Sequence, residues 1–202
     1  MHGGLICSVF LPMQRLLGAF SVGLVLMAAS ASASASAAAP AQPAQPLVTI
    51  AALDVPRYMG TWYEIAKYPN RFQKQCVSDT QAEYLLLADG VVQVINRCRK
   101  ENGKMEQAIG EARQMGAATS PKLQVRFAPA WLSMLPFVWG NYWVIDLDES
   151  YQLVAVSEPE RDYLWVLSRS ASVSPAAYNA LLARLKAQGF DLDRLVSTKH
   201  TP

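Results

Sequence analysis

The sequence predicts an all-β protein: an eight-stranded up-and-down antiparallel β-barrel, with one C-terminal α-helix packed against its outside. Eight apolar and aromatic runs of strand length follow one another between residues 60 and 168, and turn signals such as Asp89-Gly90 and Asn102-Gly103 separate them. A single helical pattern comes after the last run. Such a meander removes its exposed strand edges by closing into a barrel.

The strands are expected, in order, at residues 60–68, 77–87, 91–98, 105–114, 123–127, 141–147, 151–157 and 163–168. Alternate loops of a meander share an end of the barrel. One end should therefore carry the loops at 69–76, 99–104, 128–138 and 158–161. The other end should carry the entry of the chain and the loops at 88–90, 115–121 and 148–150. Within the fourth strand, Gly110 indicates a bulge or a bend.

The helical pattern has clear start and stop signals. Ser174 is a favourable N-cap, Pro175 suits the first helical position, and Gly189 ends the helix. Its apolar stripe consists of Tyr178, Leu181, Leu182 and Leu185. We expect this stripe to pack on the outside of the barrel, and the alternative is a helix that docks into the groove of a partner protein. Residues 195–196 indicate a short additional edge strand.

The N-terminal part is typical of a secretory signal peptide. A short positive start precedes an apolar run and an Ala/Ser tract that offers several A-x-A cleavage sites. We predict a signal peptide over residues 1–39, cleaved near 33–39, and the alternative is an uncleaved membrane anchor. Residues 40–50 are expected to form a flexible linker, and residues 51–200 the barrel domain.

Beyond the signal peptide the chain keeps two cysteines, Cys76 and Cys98. An even pair of cysteines in an exported protein predicts a disulfide, and two buried thiols are the alternative. Cys76 precedes the second strand and Cys98 ends the third, so both should lie at the same end of the barrel and meet across one hairpin. Such a bridge should contribute roughly 3 kcal/mol to stability.

The composition argues against several classes of function. The chain has 18 basic and 16 acidic residues and no basic cluster interleaved with aromatic residues, so nothing in it is typical of nucleic-acid binding. Beyond the signal peptide the only histidine is His200, which leaves a Ser–His or Cys–His catalytic pair without a credible base. A zinc site lacks ligands, and no Gly-rich phosphate loop follows a strand. We therefore expect no metal and no cofactor.

The interior of a closed eight-stranded barrel is just wide enough for one small ligand, and a packed core without a cavity is the alternative. Alternate residues of each strand should line this interior. One side of the first strand carries Trp62, Glu64, Ala66 and Tyr68. Lys67 lies on the other side. The apolar residues available for the lining are Trp62, Tyr84, Val92, Val94, Phe127, Trp143, Tyr163, Trp165 and Leu167.

Two side chains are expected to close one end of the barrel. Arg169 continues the side of the last strand that carries Trp165, and its guanidinium should reach across the floor to Trp62. A shielded cation–π contact of this kind is worth roughly 1–2 kcal/mol, and we assign both residues a structural role. Glu64, on the face of Trp62, is interpreted as a polar anchor for a ligand or a water molecule, and the alternative is a catalytic acid.

The loop at residues 128–139 is apolar and carries no charge, although it holds two tryptophans. Exposed apolar loops of this length usually mark a binding surface or a membrane-contacting surface. We interpret it as a lid that touches lipid membranes or guides an acyl chain into the barrel. The alternatives are a hydrophobic plug over the mouth and a contact in a homodimer.

Three stretches together resemble the lipocalin family, and more narrowly its bacterial members related to apolipoprotein D. They are residues 60–66 (GTWYEIA), residues 142–148 (YWVIDLD) with Tyr151, and residues 161–169 (RDYLWVLSR). The resemblance implies a calyx that binds fatty acids or lysophospholipids and serves lipid handling in the bacterial envelope, without enzymatic activity. The ligand is expected to contact Glu64, Tyr84, Trp139, Trp143, Tyr163 and Trp165.

Two other functions stay open at this point. Some lipocalin-like barrels catalyse isomerisation or epoxide chemistry, and Glu64 would then be the candidate residue. A partner protein of the outer membrane that uses the 128–139 loop is the other. The chain departs from the membrane-anchored members of the family, because Ala and Ser rather than Cys follow its apolar run. We therefore expect it in the periplasm, peripheral to the outer membrane at most.

Overall fold

The computed structural model describes residues 45–201. The predicted signal peptide, and the predicted linker up to residue 44, lie outside the described residues. The described part of that linker packs against the barrel: Leu47 is buried and the Ile50 amide donates to the Val144 carbonyl at 3.1 Å.

Eight strands form one closed antiparallel barrel, as predicted. They are β1 (Gly60–Lys67), β2 (Ser78–Leu86), β3 (Val92–Arg99), β4 (Met105–Gln114), β5 (Lys122–Arg126), β6 (Gly140–Leu147), β7 (Leu153–Ser157) and β8 (Leu164–Ser168). Each strand pairs with the next, and β1 closes the barrel because it pairs with both β2 and β8. A ninth strand, β9 (Val196–Ser197), pairs with the C-terminal end of β1, one residue beyond the predicted position.

The helices are more numerous than the sequence suggested. One turn of helix, α1 (Val55–Tyr58), crosses the closed end before β1, capped by the Asp54 carboxylate. The predicted C-terminal helix is α2 (Pro175–Ala187), capped by Ser174. Short 3-10 helices occupy Arg71–Gln73, Ala130–Leu132, Pro136–Val138 and Leu192–Arg194. Among the described residues, no helix combines the length and the apolar character needed to cross a bilayer.

The helix α2 packs on the outside of the barrel, as predicted. Leu181 and Leu185 are fully buried against Ile145 and Val166 of the barrel wall. Burying two leucines in this way contributes about 1.5–3 kcal/mol each. We call this group the outer cluster, and its buried members are Leu47, Ala66, Tyr68, Ile145, Leu153, Ala155, Leu164, Val166, Leu181, Leu185 and Phe190.

A bulge at Ile65 changes the face of β1. Glu64 lies opposite Leu167 of β8, but the next pair in the register is Ala66 with Val166, so Ile65 is one residue too many. A classical alternation of sides cannot continue through such a bulge. Residues after Ile65 therefore point to sides that the sequence pattern does not predict.

Because of this bulge, three residues do not lie on the faces of β1 that the sequence predicts. Ala66 and Tyr68 were expected to share the inner face, but both belong to the outer cluster. Lys67 was expected on the opposite face, yet it pairs with Trp165 and so faces the same side as that residue. Its ammonium lies 2.8 Å from the carboxylate of Glu64.

The predicted disulfide is confirmed. Cys76 and Cys98 are bonded, with their Cα atoms 5.5 Å apart and 22 residues apart in sequence. The bond joins the segment before β2 to the end of β3. It therefore ties the loop at 69–76 to the barrel wall at the open end.

Gly110 is required by a close approach and not by a bulge. Its pairing with Val94 continues without a register shift. A Cβ atom at this position would lie 2.5 Å from the carbonyl oxygen of Arg126 and 2.7 Å from the ring of Phe127.

We predict that Gly110→Ala lowers the free energy of unfolding by about 1–3 kcal/mol, because the methyl group would overpack the β4–β5 contact. Urea unfolding measures this. Gly140→Ala is the matched control, since its nearest neighbour would lie 3.9 Å away, at ordinary contact distance. Equal effects of the two substitutions would contradict this explanation of Gly110.

Candidate binding cavity

The barrel is hollow. Its interior holds a cavity of about 770 Å³ that opens between the loops at 69–76 and 128–139. Alternate residues of the strands form its apolar wall, and these include Ala82, Val92, Val94, Ala112, Leu123, Val125 and Leu167.

The closed end depends on Trp62 and Arg169. Trp62 is fully buried, and the guanidinium carbon of Arg169 lies 4.0 Å from the centroid of its ring. Arg169 donates hydrogen bonds to the carbonyl oxygens of Arg57 at 2.9 Å and Thr61 at 3.0 Å. The indole N–H of Trp62 donates to the carbonyl of Tyr58 at 2.8 Å. These bonds tie α1 and the first strand to the last strand.

Three tyrosine hydroxyls meet at the deep end of the cavity. The Tyr142 hydroxyl lies 2.8 Å from that of Tyr58 and 2.9 Å from that of Tyr84. The ring of Tyr58 stacks on Tyr84 and also contacts Trp62 at 4.9 Å between centroids. Burial raises the pKa of Tyr84 to about 12 and holds the pKa values of Tyr58 and Tyr142 well above the ordinary tyrosine value. All three hydroxyls are therefore protonated at neutral pH.

A polar network around Glu64 stands nearer the open end. The buried carboxylate accepts hydrogen bonds from Gln73 and from the hydroxyl of Thr198, both at 2.6 Å, and pairs with the ammonium of Lys67. Gln73 in turn accepts a hydrogen bond from the indole of Trp165 at 3.0 Å. Glu64 thus fastens the 69–76 loop and the C-terminal segment to β1.

The predicted site residues fall into two groups. Glu64, Tyr84, Trp139, Tyr163 and Trp165 border the cavity. Tyr163 and Trp165 stack on one another at 5.7 Å between centroids.

Trp143 requires a correction, because it does not line the interior. It packs against the outer cluster, and the ammonium of Lys122 lies 4.2 Å from the centroid of its ring. Two aromatic residues are adjacent in β6, and the strand alternation gives the inner position to Tyr142. Trp143 therefore stabilises the barrel wall, and Tyr142 takes the expected place in the cavity.

The ring of Trp139 is held largely by polar neighbours. The guanidinium carbons of Arg113 and Arg126 lie 4.1 Å and 5.2 Å from its centroid, and its N–H donates to the carbonyl of Ser133 at 2.9 Å. Trp139 thus attaches the 128–139 loop to arginine side chains of β4 and β5.

The sequence did not single out Tyr58, Tyr142, Lys67 or Gln73. Tyr58 lies in a one-turn helix, Lys67 follows a bulge, and Gln73 lies in a loop, so no periodicity identifies them. Trp143 was the predicted ligand contact, but the pattern alone does not decide whether it or the adjacent Tyr142 faces inward. Within residues 45–201 there is no cluster of three or more His, Cys, Asp or Glu side chains that could hold a metal ion.

Comparison with known proteins identifies the fold family. A sequence model of the lipocalin-like domain matches residues 53–200. Temperature-induced lipocalin-1 of Arabidopsis thaliana is 39% identical over 151 residues, which cover 74% of this chain and 80% of that protein. Outer membrane lipoprotein Blc of Escherichia coli (strain K12) is 36% identical over 173 residues, covering 85% and 93%. Apolipoprotein D of Mus musculus is 34% identical over 152 residues, covering 72% and 76%.

The solved structures agree on the fold. Insecticyanin from the tobacco hornworm Manduca sexta superposes with a TM-score of 0.58 at 20% sequence identity, covering 79% of this chain and 86% of that chain. The closed eight-stranded barrel, the external helix and the sequence matches lead to one conclusion. The chain belongs to the lipocalin family, whose members bind small hydrophobic ligands.

Proposed function

We propose that this protein binds and carries small hydrophobic lipids, namely fatty acids or lysophospholipids, in the bacterial cell envelope. The observation that carries the proposal is the hollow apolar cavity of about 770 Å³, open at one end. Ligand pockets typically measure about 300–1,000 Å³. Each methylene group of an acyl chain buried there gains about 0.8 kcal/mol, part of which offsets the loss of motion on binding.

The distribution of polar groups favours an amphiphile with its charged head at the mouth. Arg71 and Gln73 border the cavity at the open end, and Arg71 lies beside the ring of Phe72 at 4.9 Å. A carboxylate or phosphate at this end would stay near water and near a cation. The same group deep in the apolar barrel would lose its hydration at a cost of several kcal/mol.

The rim of the mouth supports direct contact with a lipid surface. Trp131, Met134 and Phe137 in the 128–139 loop are 77%, 89% and 80% exposed, and Phe72 stands in the 69–76 loop at the same end. Exposed aromatic and apolar side chains around an opening are typical of membrane-contacting surfaces. Contact through this rim would bring the mouth to the bilayer from which a lipid is taken.

Several observations favour a carrier in the periplasm over an enzyme. Both oxygens of the Glu64 carboxylate already contact Lys67, Gln73 or Thr198, so the carboxylate serves the structure and is not free to act on a substrate.

The similar proteins support a location in the envelope. Four of the similar bacterial proteins are named outer membrane lipoproteins. With the signal-peptide pattern of the N-terminal segment, this supports a location in the envelope.

Titration with fatty acids and lysophospholipids tests the proposal, with the intrinsic tryptophan emission, to which the cavity residue Trp165 contributes, as the signal. We expect saturable binding of one ligand per chain. Absence of saturable binding for both lipid classes would contradict the carrier function.

We predict that replacing Trp131, Met134 and Phe137 together by Ser reduces binding to phosphatidylethanolamine–phosphatidylglycerol vesicles by at least about tenfold, because three exposed apolar side chains are lost. Vesicle flotation measures this. Binding of a dispersed fatty acid should remain measurable. The matched control replaces Val48, Leu86 and Met115, which are exposed apolar residues toward the closed end, by Ser.

An equal loss in the control variant, or no loss in the loop variant, would contradict membrane contact through the rim. A wild-type dimer that becomes a monomer in the loop variant, with vesicle binding unchanged, would assign the loop to a homodimer contact instead.

We predict that Glu64→Gln lowers the free energy of unfolding by about 1–3 kcal/mol, because Lys67 would lose its buried partner, while fatty-acid affinity changes by less than about threefold. Urea unfolding and the fluorescence titration measure the two effects. Glu83→Gln is the control, since its pair with Arg97 is more exposed and should matter by less than about 1 kcal/mol. Loss of ligand binding at unchanged stability would make Glu64 a direct ligand contact.

A further inference from the structure

The three tyrosines at the deep end of the cavity form a hydrogen-bonding cluster with one donor more than it can use. Tyr58 and Tyr84 each contact Tyr142 through their hydroxyls, at 2.8 Å and 2.9 Å. Each hydroxyl carries one proton to donate. Two contacts use two of the three protons. The third has no acceptor among the polar side chains and carbonyls of residues 45–201.

This surplus does not depend on how the protons are arranged. If Tyr142 donates to one neighbour and accepts from the other, the neighbour that accepts keeps its own proton. If Tyr142 accepts from both neighbours, its own proton is left. Because burial keeps the pKa values of all three phenols well above neutral pH, none of them loses its proton to remove the surplus.

The surplus donor faces the cavity. All three tyrosines border it, and the neighbouring wall is apolar, formed by residues such as Val92, Val94, Ala112, Leu123 and Leu167. Once an apolar ligand has displaced water from the cavity, a buried donor without an acceptor is unfavourable, so a ligand that brings the acceptor is favoured over one that does not. A carboxylate is a poor candidate, because a single neutral O–H cannot offset the loss of its hydration. A neutral oxygen fits.

Building on the proposed carrier function, we infer that the deep end of the calyx is a subsite for a neutral oxygen. The ligand class is an acyl chain or similar apolar molecule that bears a ketone or hydroxyl at its buried end. The charged head stays at the mouth, and the far oxygen accepts the surplus proton from the cluster of Tyr58, Tyr84 and Tyr142. The cavity would then discriminate between lipids by whether the buried end of the chain carries a neutral oxygen.

The test compares fatty acids of about ten to sixteen carbons with their (ω−1)-oxo derivatives of the same length, by fluorescence titration of the full chain. At the length that reaches the floor, the oxo acid should bind about three- to tenfold more tightly, the range expected for one added neutral hydrogen bond.

Two variants locate the preference. The triple variant Tyr58→Phe, Tyr84→Phe and Tyr142→Phe removes every hydroxyl of the cluster and leaves the ring shapes, a change that can be nearly neutral for stability. It should lose the preference for oxo acids. Tyr163→Phe, at the mouth, also removes a phenol hydroxyl from the cavity lining and should keep the preference.

A second measurement does not need the variants. The stretching band of a ¹³C-labelled ketone bound to the wild-type protein should lie at lower frequency than the band of the same ketone in alkane. An unshifted band, no preference at any length, or a preference that survives in the triple variant would each overturn the subsite. If the plain acids bind and the oxo acids gain nothing, the subsite is wrong and the carrier function stands; if neither set binds, the carrier function itself fails.

Discussion

Closure of the barrel requires β1 to hydrogen-bond along both of its edges, and the rest of the structure follows from that requirement. β8 occupies one edge, while β2 and β9 share the other. The bulge at Ile65 divides the strand between two environments. Its first half turns Trp62 and Glu64 inward, and its second half turns Ala66 outward to the cluster under α2. One strand therefore supports both the hollow interior and the packing of the external helix.

The interior is polar at both ends and apolar between them. At the floor, Arg169 donates to three backbone carbonyls while covering Trp62. At the mouth, the Glu64 carboxylate is occupied by three donors. The tyrosine cluster is the exception, because its two hydrogen bonds leave one hydroxyl proton without an acceptor. A cavity of this kind binds apolar chains through its wall and distinguishes them through its ends.

Much of the fold was predictable because it depends on periodicity and turn chemistry. Strand length, hairpin turns and the capped helix gave the barrel and α2, and the position of the two cysteines gave the disulfide. The bulge at Ile65 was not visible, since one extra residue leaves the composition of a strand unchanged. The same limit reversed Tyr142 and Trp143: adjacent aromatic residues fit either register until the partner strand is known. The role of Tyr58 in the cavity was not predicted, because this residue lies outside any strand and no alternation applies to it.

A carrier function requires the hollow calyx to hold a lipid in the cell. Native mass spectrometry of the protein purified from its own host, without added detergent or lipid, tests this most directly. For a lipid carrier we expect a population heavier than the bare chain by the mass of one fatty acid or lysophospholipid, released as that lipid on collisional activation. A protein that emerges from its host with the mass of the bare chain alone, under conditions that preserve a complex prepared in vitro, would contradict it.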